Sequence, residues 1–221
     1  MNLRPLAFSL FLVFPFVCFA AKRPNVILMM ADDLGYETLS ANGGAPYKTP
    51  HLDKLAANGL RFTNCVSQPV CTPTRVKIMT GRYNFRNYKT FGILDPREKT
   101  FGHVMRDAGY KTCIVGKWQL GRDRKLLGHF GFDEYCLWWL ENKSTRYGNV
   151  GELIQNGKVL PGGKGEYGPD VVSAFMLDFI SRNKKEPFFC YYPMILTHSP
   201  FVPTPDTDKN APKGSNLDLM V

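Results

Sequence analysis

Apolar and polar positions along this chain fall into blocks with distinct periods. Asn25-Val26-Ile27-Leu28-Met29-Met30 is a continuous apolar run, the pattern of a strand covered on both faces, and it ends at Ala31-Asp32-Asp33. Thr49 and Pro50, followed by Leu52, Leu55 and Ala56, read as a helix stopped by Gly59, after which Leu60 to Asn64 reads as a strand. A helix from Thr100 to Ala108 stops at Gly109 ahead of a strand from Lys111 to Val115, and a helix from Pro169 to Asn183 precedes a strand from Phe188 to Pro193. This alternation predicts an α/β fold, a largely parallel sheet with helices on both faces. The segment Gly128 to Gly168 is less regular and suits either a substrate rim or a plain surface excursion. Within it, Glu152 to Leu160 reads as a hairpin about Asn156-Gly157, a dipeptide that tolerates the positive φ of a tight turn. Pro203 to Ser215 is polar and rich in Pro and Lys, which predicts a loop.

The first residues stand apart from this pattern. Arg4 precedes an apolar run, Leu6 to Phe19, that ends in Ala20 and Ala21, the layout of a cleaved secretory signal. A membrane span needs roughly 20 apolar residues, and Pro15 interrupts this run. Bulky Phe16 and Val17 ahead of Cys18 argue against a lipoprotein. Residues 1–21 are therefore expected to be a signal peptide, with export to a periplasm or the medium and no stable membrane anchor.

The chain has 221 residues, enough for one domain with a sizeable core, and a formal charge of +9, of which the leader carries only Arg4. Such a surface suits a polyanionic partner, and it equally suits mere solubility. Basic and aromatic residues do not read as interleaved in a nucleic-acid pattern, so no nucleic acid is expected. Six cysteines occur without a C-x-x-C pair to suggest zinc. Cys113 and Cys190, in apolar runs, are expected to be inert buried thiols.

Candidate chemistry concentrates in Pro69-Val70-Cys71-Thr72-Pro73-Thr74-Arg75-Val76-Lys77-Ile78-Met79-Thr80-Gly81. Pro73 suits a helix's first turn and Gly81 its far end, which places Cys71 at the positive end of a short helix with Arg75 one turn on. Asp32 and Asp33 follow a strand, where ligands gather in open α/β sheets. Their adjacent carboxylates either cap a loop or share a hard cation, Ca²⁺ or Mg²⁺. Lys117 leaves the strand end at the level of these acids, and His198 follows the last strand. His51, His103 and His129 have no comparable setting.

These stretches, with Gly109-Tyr110-Lys111-Thr112-Cys113-Ile114-Val115-Gly116-Lys117-Trp118-Gln119-Leu120-Gly121 and Thr197-His198-Ser199-Pro200-Phe201, resemble the sulfatases of the alkaline phosphatase superfamily from about Arg23 onward. The resemblance implies an alkaline phosphatase-like fold and hydrolysis of sulfate monoesters of a small molecule or glycan. It implies that a formylglycine-generating maturation enzyme oxidises Cys71 to formylglycine, whose hydrated aldehyde is the nucleophile. Modification of Cys71 would leave Cys65, Cys113, Cys136 and Cys190 to pair in any of three ways, or not at all. Asp32, Asp33 and residue 71 would hold Ca²⁺, or Mg²⁺, while Arg75 and Lys117 bind sulfate and His198 protonates the leaving alcohol. Gln119 stands where many members carry a histidine base; its amide orients a hydroxyl but takes no proton at neutral pH. Gly131-Phe132-Asp133-Glu134-Tyr135 matches a segment read as structural. Members usually continue for a few hundred further residues that supply an Asp-Asn pair to the metal and another lysine. Residues 22–221 are thus expected to form the N-terminal part of a sulfatase catalytic domain, truncated at the C-terminus, with an exposed sheet edge. Two other readings remain: a phosphonate or phosphate ester hydrolase of the same superfamily, and a non-catalytic remnant that binds sulfated glycan.

Overall fold

A computed structural model of the chain describes residues 23–44, 47–138, 147, 153–163 and 165–206. The expected leader and most of the Pro- and Lys-rich tail lie outside the described residues. Six strands, β1 (Val26–Asp32), β2 (Lys111–Lys117), β3 (Glu134–Trp138), β4 (Leu153–Gln155), β5 (Lys158–Leu160) and β6 (Phe188–Thr197), form one sheet in the order β1-β6-β2-β3-β4-β5. The pairs β1–β6, β6–β2 and β2–β3 are parallel, and β3–β4–β5 are antiparallel. The hairpin β4–β5 turns at Asn156 and Gly157, with φ of 45° and 85°, the conformation that Asn-Gly supplies cheaply.

Helices α1 (Pro50–Asn58), α2 (Cys71–Thr80), α3 (Asn84–Asn87), α4 (Phe101–Asp107) and α5 (Gly168–Asn183) complete the described elements. The period of two along the central strands sorts side chains into two cores. Ile114 of β2, Leu137 of β3 and Phe189 and Tyr191 of β6 meet Val76 and Met79 of α2. Cys113 and Val115, Cys136 and Trp138, and Phe188, Cys190 and Tyr192 point the other way, onto Val172 and Phe179 of α5. The expectation of helices on both faces holds. Cys113 and Cys190 lie opposite each other in register as buried free thiols. Burial, then the hydrogen bond with Cys190, pushes the Cys113 thiol far above its ordinary range, and burial alone pushes Cys136 up to about 12.

Two parts of the sequence reading change. Leu60 to Asn64 is no strand among the described residues: Leu60 and Phe62 are exposed and no neighbouring backbone offers a ladder. β-Forming residues need a paired edge, and propensity alone does not supply one. β1 is covered on one face only. Val26, Leu28 and Met30 pack on the first core, whereas Ile27 and Met29 are 46% and 52% exposed, because α5 lies over β2, β3 and β6. Strand β3 begins within the segment Gly131 to Tyr135, beside β2. The Asp133 carboxylate accepts from the Thr112 backbone N–H and hydroxyl at 3.1 and 3.0 Å, fixing β3 against β2.

Two local features set the site's frame. Gly116 has φ 113°, and a Cβ there would lie 2.1 Å from the Pro193 carbonyl oxygen, so only glycine lets β2 approach β6 this closely. Thr100 caps α4 reciprocally with His103: the Thr100 hydroxyl accepts from the His103 N–H, and His103 Nδ1 accepts from the Thr100 N–H at 3.1 Å.

Candidate functional site

Parallel pairing brings the carboxyl ends of β1, β6 and β2 to one side of the sheet, where ligands bind in open α/β folds. Asp32 closes β1 opposite Thr197 of β6, and Lys117 closes β2. Helix α2 runs over the same side from Val70, a residue with extended backbone, to the left-handed Gly81. Its first residue is Cys71, followed by buried Arg75 and Val76 on the sheet side.

Asp32, Arg75 and Lys117 form a buried charge cluster, none more than 2% exposed. Lys117 Nζ donates to Asp32 Oδ2 at 2.6 Å, Arg75 Nη2 lies 3.6 Å from Asp32 Oδ1, and Arg75 Nη1 donates to the Lys117 carbonyl at 2.9 Å. The guanidinium thus ties α2 to the end of β2. It turns its charge inward instead of along the open face with Cys71, as helical spacing alone suggested. Among the described ion pairs both cations converge on this one carboxylate, and in a low-dielectric setting such contacts hold only where the geometry is close.

Asp33 is exposed where its neighbour is buried. Its backbone takes φ 60°, and its side chain is exposed and faces His198 Nε2 at 3.4 Å. His198 Nδ1 sits 2.6 Å from the Ser199 carbonyl, and the Tyr147 hydroxyl donates to the His198 carbonyl. Gln119, φ 49°, is buried, and among the described residues no hydrogen-bond donor reaches its Oε1.

A pocket of about 260 Å³ is lined by Asp32, Asp33, Ser67, Gln68, Cys71 and Thr74, among others. It joins the three residues that the sequence assigned to one centre. Arg75 and Lys117 stand behind it on Asp32, whereas Gln119 is not part of its lining. Thr74, one turn after Cys71, was legible from helical spacing. Ser67 and Gln68 were not, because they come from an irregular segment with no periodic signal.

The donor set fits a hard cation in kind, since two carboxylates line one pocket and offer oxygen ligands beside the Cys71 thiol. Among the described residues no group of three His, Cys, Asp or Glu completes a metal centre. No helix among them is long and apolar enough to cross a membrane.

Residues 24–217 match the sulfatase family. An N-acetylglucosamine-6-O-sulfatase of Bacteroides thetaiotaomicron is 30% identical over 188 residues, covering 83% of this chain and 32% of the relative. An N-acetylgalactosamine-6-sulfatase of Homo sapiens is 31% identical over 218 residues, covering 82% of this chain and 41% of the relative. A structure solved with its substrate D-glucosamine-2-N,6-O-disulfate superposes with a TM-score of 0.72 at 29% identity, over 83% of this chain and 36% of that one. The fold is alkaline phosphatase-like, a mixed and mostly parallel six-stranded sheet between helices. This chain belongs to the sulfatase family. It spans about a third to two fifths of the length of these curated relatives.

Proposed function

We propose that this chain carries the anion-binding and nucleophile-bearing part of an exported sulfatase that hydrolyses sulfate monoesters of a small molecule or glycan. The observation that carries the reading is the buried Asp32–Arg75–Lys117 cluster set behind the pocket that Cys71 lines. Cys71, converted to formylglycine by a maturation enzyme, would supply a hydrated aldehyde as nucleophile at the start of α2. Asp32 and Asp33, with residue 71, would hold Ca²⁺ or Mg²⁺, which supplies charge to balance the ester's oxygens.

The remaining roles belong to the chain's own side chains. Arg75 and Lys117 provide fixed positive charge toward the sulfate, so catalysis rests on positioning and electrostatic stabilisation. His198, in its protonated form, donates to the leaving alcohol oxygen. Gln119 offers its amide to orient a hydroxyl at residue 71 and leaves proton removal to another base or to water. The Thr74 hydroxyl is committed to the Gln68 and Val70 carbonyls at 3.1 and 2.9 Å, which fixes the segment before Cys71.

The test is mass spectrometry of the peptide spanning residue 71, taken from a host with the maturation enzyme, together with hydrolysis of aryl sulfate against aryl phosphate. An aldehyde and preferential sulfate release are expected. An unmodified thiol from a competent host, or preferential phosphate release, overturns the reading.

A further inference from the structure

Helix α2 presents a second, larger hollow beyond the Cys71 pocket. It measures about 580 Å³ and is lined by Ser67, Gln68, Thr74, Lys77, Arg82 and Tyr83, among others. Ser67, Gln68 and Thr74 line both hollows, so the two abut along one face of the helix. A rise of 1.5 Å per residue puts the Lys77 backbone about 9 Å along the axis from that of Cys71, so a ligand that engages both hollows is an extended one.

The far end carries a ladder of cations and rings. Lys77 Nζ lies over the Tyr83 ring at 5.1 Å, Tyr83 and Phe85 are stacked with centroids 6.1 Å apart, and the Arg86 guanidinium lies 5.7 Å from the Phe85 centroid. Tyr83 and Phe85 are exposed. Arg82 spends its charge on Glu98, at 2.8 and 2.9 Å, whereas Lys77 has no carboxylate partner among the described residues. Arg82-Tyr83-Asn84-Phe85-Arg86-Asn87-Tyr88-Lys89 therefore does interleave bases and rings, contrary to the expectation under which nucleic acid was set aside.

We propose that Lys77, Tyr83, Phe85 and Arg86 form an accessory subsite for the neighbouring residues of a sulfated oligosaccharide whose terminal sulfate occupies the Cys71 pocket. This rests on the sulfatase reading above. Two properties favour a glycan as occupant. Exposed aromatic faces suit the apolar faces of sugar rings, and ammonium and guanidinium groups suit their sulfates. The hollow is also continuous with the pocket that holds the candidate nucleophile, so one extended ligand engages both and the second contact adds to the first.

Isothermal titration of the full chain tests it with three probes: 6-O-sulfated N-acetylglucosamine, a tetrasaccharide sulfated on every residue, and single-stranded DNA of equal charge. The tetrasaccharide is expected to bind roughly tenfold more tightly than the monosaccharide. Lys77→Gln and, separately, Tyr83→Ala should remove most of that advantage without moving the monosaccharide, with circular dichroism confirming the fold. Loss of monosaccharide binding in Lys117→Met reports on the sulfatase site independently. If the monosaccharide fails to bind while Lys77-dependent tetrasaccharide binding persists, the sulfatase reading falls and the subsite stands. Equal affinity for both sugars, indifference to Lys77→Gln, or DNA binding as tight and as sensitive to these substitutions overturns the subsite.

Discussion

Asp32 is the residue on which the site's electrostatics turn, because its buried carboxylate is held by Lys117 at 2.6 Å and faced by Arg75 at 3.6 Å. Lys117→Met removes the 2.6 Å donor and leaves Asp32 to the more distant Arg75. It is expected to lower unfolding stability by about 1–3 kcal/mol, read from urea denaturation. In an Asp32→Asn and Lys117→Met double-mutant cycle, the combined loss should be smaller than the sum of the single losses, because the two side chains share one hydrogen bond. Asp32, Asp33, Cys71, Arg75, Lys117 and His198 were nameable from strand ends, a helix start and motif spacing. Their pairing was not. Sequence placed Arg75 on the open face with Cys71, whereas the sheet-side burial of α2 draws its guanidinium onto the Lys117 carbonyl. Asp33 was read as the twin of Asp32, yet its positive φ sends it outward to His198.

At the scale of elements, the sequence was legible wherever period and caps agreed. Helix α2 ends at Gly81, α4 is capped by Thr100, and the hairpin turns at Asn156-Gly157. It was misleading where a strand depended on a neighbour, as at Leu60 to Asn64. The apolar run Tyr135 to Trp138 was passed over because its turn and strand were read as one structural segment. The cap of α4 carries a pH dependence. Burial holds the His103 imidazole below its ordinary value, and its Nδ1 must stay unprotonated to accept from Thr100. The unfolded chain then binds more protons just below pH ~6.5. The cap's contribution is complete above that pH and is lost as pH falls through the folded value. Hydrogen exchange at the first turn of α4 should accelerate in that window, and His103→Gln, which keeps an acceptor without titrating, should flatten the response. Gly116→Ala is expected to cost about 1–3 kcal/mol from overlap with the Pro193 carbonyl, with added strain from the positive φ, measured by thermal unfolding.

At the scale of the whole molecule, the sheet of described residues ends at β1, which pairs with β6 and leaves Ile27 and Met29 exposed on one face. An apolar strand at a sheet edge templates association. Replacing Ile27 and Met29 with Thr and Lys should lower light scattering at high protein concentration. The far-UV spectrum should stay unchanged, because neither side chain contributes to the first core.

The register of β2 with β6 seals Cys113 and Cys190 together inside the second core, and Cys136 lies in the same layer. In an oxidising compartment this interior sulfur lies out of reach of reagents, and burial suppresses the Cys113 and Cys136 thiolates. Cys65 and Cys71, both on the accessible side, are left as the chain's addressable sulfur among the described cysteines. The packing thereby narrows competition: among the described cysteines, an oxidant arriving at the helix start meets a rival only in Cys65.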